Sequence, residues 1–137
     1  MAVLSITAAN VKKVAGSTVT DEGIAGVTIT AGQALYKNLT NAAKLALADA
    51  DTEATSIFEG IALHAALADQ PIEYATAGLI DIGATVTVGE FYTVHTTEGG
   101  IGPYSDLAAG DYPSAVGFGV TTGRIDIRRN NSRVAKA

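Results

Sequence analysis

Ala77-Gly78-Leu79-Ile80-Asp81-Ile82-Gly83-Ala84-Thr85-Val86-Thr87-Val88-Gly89 is the stretch that decides the fold. Apolar side chains fall on every second position in Ile80-Asp81-Ile82 and again in Val86-Thr87-Val88. That is the period of a strand with one face buried and the other in water. Ala77-Gly78 and Gly83-Ala84 flank the runs, as turns between short strands would. The alternation recurs in Val27-Thr28-Ile29-Thr30, Leu45-Ala46-Leu47, Ile61-Ala62-Leu63, Ile72-Glu73-Tyr74, residues 116–120 and Ile125-Asp126-Ile127. Such short runs predict a mainly β domain, a small barrel or sandwich with at most short helical turns. Residues 42–48 and 61–68 are rich in good helix formers, so a helical turn is the alternative there. Residues 27–36 and 85–92 echo one another: alternating residues, a glycine turn, then an apolar residue before Tyr36 or Tyr92. Two similar hairpins are the simplest explanation.

Length and composition bound the rest. The chain has 137 residues, one domain's worth, and a formal charge of −5. At this size folding hides roughly two-thirds of the unfolded surface, enough for a core without metal or disulfide staples. No cysteine is present, which excludes disulfides, thiolate zinc sites and thiol nucleophiles. An acidic pI near 4.8 argues against a whole-surface grip on nucleic acid. The opening Met1-Ala2-Val3-Leu4-Ser5-Ile6 lacks the basic flank and apolar run of a signal peptide, and no apolar stretch approaches the ~20 residues of a membrane span. A soluble domain with no membrane partner is expected.

The two ends differ from the middle. Residues 1–24 contain no aromatic and carry Lys12 and Lys13, so they read as an extended arm that orders on a partner, or else as an edge strand with a loose terminus. Residues 25–127 hold the β pattern. Arg124, Arg128, Arg129, Arg133 and Lys136 stand against Asp126 alone, while the preceding residues carry four cations and thirteen carboxylates. Residues 128–137 are therefore set apart as a basic tail suited to an acidic neighbour.

No reaction centre emerges. His64 and His95 lie in separate β segments without a ligand-spaced partner, and no Gly-x-Ser-x-Gly elbow is present. Asp49-Ala50-Asp51-Thr52-Glu53 imitates the start of a calcium loop, but Ala54 stands where the sharp bend needs Gly and Gly60 where the bidentate Glu belongs. It reads as a solvated acidic loop. Gly117-Phe118-Gly119-Val120-Thr121-Thr122-Gly123 has dinucleotide-turn glycines at the wrong spacing and within a β pattern. Its glycines fit a strand face left bare for close approach. No catalytic, cofactor or metal residue is assigned, and a binding or structural role is expected.

Gly60-Ile61-Ala62-Leu63, the Asp69-Gln70-Pro71-Ile72 turn and residues 77–89 quoted above, followed by Asp106-Leu107-Ala108-Ala109-Gly110-Asp111-Tyr112, Val116-Gly117-Phe118-Gly119-Val120 and Ile125-Asp126-Ile127-Arg128, resemble the head decoration, or capsid cement, proteins of tailed bacteriophages. The similarity spans roughly residues 25–130. Where that family usually has Gly before the Gln-Pro pair, this chain has Asp69. The resemblance implies a virion protein, made in the host cytoplasm, that binds the outer surface of an assembled phage head. It implies a trimer at local threefold positions whose partner is the major capsid protein, with no catalysis, no cofactor and no direct nucleic-acid contact. Repetition around a symmetry axis makes modest contacts sufficient. Candidate capsid contacts are Ile6, Val11, Lys12 and Lys13 in the arm, which can add a strand to a capsid edge, and Arg128, Arg129 and Arg133, suited to carboxylates.

Two other classes compete. A carbohydrate- or receptor-binding β-sandwich of a phage particle would display aromatics for sugar stacking, and this chain has no Trp, five Tyr and three Phe. A small hydrolase or isomerase would draw on Glu59, Glu73, Asp81 and the two histidines.

Overall fold

The computed structural model describes residues 3–137. It is mainly β, a single curled antiparallel sheet that forms a half-barrel, with helical structure confined to lone 3-10 turns at Ala8–Asn10, Ala54–Ser56 and Tyr104–Asp106. In chain order the strands are β1 (Val11–Lys13), β2 (Val19–Ile24), β3 (Ala34–Asn38), β4 (Lys44–Leu47), β5 (Gly60–Ala62), β6 (Pro71–Ile82), β7 (Phe91–Val94), β8 (Ile101–Pro103), β9 (Ser114–Thr121) and β10 (Arg124–Asn131). The sheet runs β4-β3-β5-β6-β10-β9-β7-β8, with β1 and β2 also paired to β6.

β6 is the hub. One edge carries β5 near Tyr74 and Ala75 and then β10 from Gly78 to Asp81. The other edge carries β1 opposite Ile80–Ile82 and β2 opposite Pro71–Ala77. Residues 11–24 are thus one interrupted edge strand of the sheet, the edge strand of the second reading without its loose terminus, since Leu4 N–H reaches Ile101 O and Thr7 N–H reaches Gly83 O, each at 2.8 Å; residues 1 and 2 lie outside the described residues. The interruption is the turn at residues 14–18, where hydroxyls replace ladder bonds. Leu79 N–H donates to Ser17 Oγ at 3.1 Å, the Leu79 carbonyl accepts from Thr18 Oγ1, and Val14 N–H donates to Thr18 Oγ1 at 2.7 Å. Gly78, at φ 82°, lies against the Ser17 carbonyl where no Cβ fits. The expected Ala77-Gly78 turn is therefore a corner inside one long strand. Lys13 lies opposite Ile80 in the ladder yet reaches Glu73 at 3.5 Å. In a straight strand those seven residues would span roughly 23 Å, so the curl closes that distance.

Other expectations change for similar reasons. Residues 42–48 and 61–68 form no helical turn. Leu45, Ala46 and Leu47 pair with β3, and Ile61 and Ala62 pair with β6, so tertiary pairing overrides helix propensity. The runs at residues 27–30 and 86–88 form no named strand: Ile29 makes an isolated bridge to Ala66, and Val86 N–H reaches Thr122 O at 2.9 Å. Both runs lead instead into matching turns, Thr30 to Gln33 and Thr87 to Glu90, with Gly32 and Gly89 at φ 91° and 83° before β3 and β7. The internal echo is this turn-and-strand unit. β10 also passes through the expected 127/128 boundary, so Arg128 and Arg129 are strand residues.

Two apolar clusters result. The larger gathers Phe58, Ile61, Ile80, Ile82, Tyr92, Val94, Ile101, Val116, Ile125 and Ile127 inside the half-barrel. The smaller gathers Ala25, Ile29, Leu35, Leu45, Ile72 and Tyr74 on the opposite face of β3, β5 and the first half of β6. Alternation explains the split, because Ala34 and Leu35, Ile61 and Ala62, and Tyr74 and Ala75 point to different clusters. Ala25 bridges in parallel to Leu45, which draws the curled end of the sheet together over the smaller cluster.

Candidate functional site

The candidate contact residues separate into buried, exposed and internally paired groups. Val11 belongs to the larger core and Ile6 packs against it, so both side chains hold the N-terminal segment to its own domain. Lys12 and Lys13 are exposed on β1, and Lys13 pairs with Glu73. The tail folds back onto its own acids. Arg128 Nε meets Asp126 Oδ2 at 2.9 Å, Arg129 Nη1 meets the Glu59 carbonyl at 3.0 Å and its carboxylate at 3.5 Å, and Arg133 Nη2 meets Glu53 Oε1 at 3.0 Å. Arg124 pairs with Asp81 at 2.8 Å. Lys136 Nζ donates to the Leu107 carbonyl at 2.7 Å and sits 4.4 Å above the Tyr104 ring. The charge segregation seen in the sequence is thus neutralised in space.

Of the residues considered for chemistry, His64 and Glu73 line one cleft of about 390 Å³ together with Glu22, whereas Glu59, Asp81 and His95 do not line it. Glu59, Glu73 and Asp81 each face a different cation. His64 accepts the Glu73 N–H at Nε2, 3.0 Å away, so its Nδ1 carries the hydrogen that meets the Ala65 carbonyl at 2.9 Å. His95 accepts the Thr97 N–H at Nδ1, and its Nε2 faces Asp106 Oδ2 at 3.3 Å. This His–Asp pair, eleven residues apart, carried no sequence signal because the β8 strand and its following 3-10 turn bring it together. It fastens the end of β7 to that turn. Asp49 Oδ1 accepts from Asp51 N–H at 3.0 Å and Thr55 Oγ1 at 2.8 Å, so the calcium-like motif is a turn cap. Among the described residues no three acidic, His or Cys side chains converge as a metal site. Gly117 and Gly119 do leave strand faces bare, for the Asp126 and Thr87 carbonyls of this same chain.

Two further surface features bear on binding. On the outer face of the sheet Phe91 stacks between Phe118 and Tyr104, with ring centroids 5.3 and 5.7 Å away. Phe91 and Phe118 are cross-strand partners, and Phe118 and Val120 are more than 40% exposed. Gly89 N–H reaches Gly119 O at 2.7 Å, which sets exposed Val88 beside this row. The second feature is a cleft of about 390 Å³ at the β3–β4 hairpin, where Tyr36 and Asn38 face Asp49 and Glu98 over Val27 and Leu47. Partial burial, and then the charges of Asp49 and Glu98, raise the Tyr36 pKa above that of an ordinary phenol. No protein-family model, curated protein or solved structure matches this chain.

Proposed function

We propose that this chain is a structural virion protein that binds the outside of an assembled phage capsid and stabilises contacts between major capsid subunits, as a trimer at local threefold positions. The phage assignment rests on the resemblance, whose residues lie largely on β5, β6, β9 and β10. The observation that carries a docking role is the exposed Phe118 and Val120 with half-buried Phe91 on a sheet face and exposed Val88 in the adjoining turn, beside charges already paired internally. Exposed apolar patches with polar rims mark protein–protein surfaces. The internally neutralised tail directs attention from Arg128, Arg129 and Arg133 to this row.

Co-sedimentation with expanded, undecorated capsids tests the reading. Saturable binding at a ratio set by the shell's symmetry is expected, and Phe118→Ser weakens it at least about tenfold, as loss of a central aromatic contact does. Absence of binding overturns the capsid role. The second reading, a carbohydrate-binding module, is favoured by the ring row Phe118-Phe91-Tyr104, because stacked aromatics suit sugar faces. A glycan array distinguishes it.

A further inference from the structure

We propose that the cleft at the β3–β4 hairpin receives an arginine side chain from a protein partner. Its lining includes two carboxylates, Asp49 and Glu98, and no Lys, Arg or His. Asp49 uses Oδ1 for its turn, leaving Oδ2 without a partner among the described residues. Glu98 forms no ion pair there, in contrast to Glu53, Glu59 and Glu73. Asn38 caps the following turn through Oδ1, accepting from Thr40 N–H and Oγ1, which fixes its amide at the rim. Tyr36 lines the same cleft, and its phenol oxygen has a lone pair to offer. Val27 and Leu47 supply an apolar wall for an aliphatic stem.

Charge and geometry together select the occupant. Two uncompensated carboxylates across one concave site favour a cation, and its mixed polar and apolar lining is that of a binding cleft. A guanidinium brings five N–H donors in a flat fork and no acceptor, so it can serve Asp49, Glu98 and the Tyr36 oxygen at once. An ammonium is a compact point charge and matches a spread of acceptors less well. A neutral sugar would leave both charges uncompensated. This inference is independent of the capsid reading, since any partner presenting an exposed arginine fits it.

The test is a titration of the full-length, isotope-labelled protein followed through its backbone amide spectrum. The probes are N-acetyl-arginine amide, its neutral isostere N-acetyl-citrulline amide, N-acetyl-lysine amide and a methyl glucoside. Saturable shifts centred on Tyr36, Asn38, Asp49 and Glu98 with the arginine probe are expected, with citrulline at least about tenfold weaker because charge-assisted bonds are lost. Glu98→Gln, in an exposed turn, should weaken arginine by a similar factor while the rest of the spectrum is unchanged. No saturation, equal response to citrulline or lysine, or response to the glucoside alone overturns the proposal. Capsids play no part in this test, so its failure leaves the capsid reading standing, and failed co-sedimentation leaves this one standing.

Discussion

Two buried tyrosines show how far single residues can be read. Tyr92 and Tyr74 are both fully covered, but the Tyr92 hydroxyl accepts the Thr87 N–H at 2.9 Å whereas the Tyr74 hydroxyl has no partner among the described residues. Burial, with the charges of Asp21 and Glu59, pushes the Tyr74 pKa up to about 12, against 10.0 for an ordinary phenol. Because the folded value lies above the unfolded one, the stability linked to this group is intact below pH 10. It is lost as pH rises towards 12. Tyr74→Phe should flatten that alkaline loss in pH-dependent urea unfolding. At pH 7 it should leave the protein unchanged or up to about 1 kcal/mol more stable, since an unsatisfied hydroxyl is removed. Asp69 answers a different question. It adopts φ 70° at the turn before Gln70, the conformation that glycine takes without strain, and its carboxylate holds Lys44 at 2.7 Å. Asp69→Gly is expected within about 0.5 kcal/mol of the parent in thermal unfolding, and Asp69→Val more than about 1 kcal/mol below it, because a β-branched residue resists this backbone. Ala42 and Ala43 occupy the same region at φ 54° and 57°, which nothing in their side chains favours.

Among the elements, the N-terminal edge strand is the one whose role changed most between sequence and structure. Its apolar content is low because it covers an edge of β6, where backbone hydrogen bonds, not side-chain burial, supply much of the attachment. Amide exchange of the free protein should therefore show protection at the paired amides of β1 and β2. Protection appearing only on a capsid would restore an arm that orders on its partner. The 14–18 turn depends on Thr18, which serves both the Leu79 carbonyl and the Val14 N–H. Thr18→Val keeps the shape and strands both groups, so chemical denaturation should register a loss of about 1–3 kcal/mol. The turns at Thr30, Leu67 and Ala108 share one device: a side chain three residues on, Gln33, Gln70 or Asp111, accepts the first residue's N–H. Their backbones also close by the reverse bond, at 3.3, 3.1 and 3.1 Å. The sequence marks the residues; their pairing is visible only in the fold.

On the scale of the whole molecule, the ion pairs redistribute charge. Exposed pairs of this kind contribute little to stability, so changing Arg128, Arg129 and Arg133 together to Gln should lower it only slightly, by about 1–2 kcal/mol. If those arginines instead carry capsid attachment, the triple variant loses retention at low salt, and sedimentation at low and high salt separates the two roles. The sequence by itself determined the β class, because a period of two is a local property of adjacent residues. It also determined the positions of most turns, because Gly32, Gly89 and Asp69 supply backbone conformations that few residues adopt easily. Only the tertiary structure decided that residues 71–82 are one bent strand, that residues 11–24 line its edge and that His95 meets Asp106. The same holds for the tail finding its acids and for Tyr36, Asp49 and Glu98 sharing a cleft. Most of these rest on contacts between residues distant along the chain, which the curl of the sheet brings within reach, and the His95–Asp106 contact rests on the β7–β8 hairpin and the turn after it.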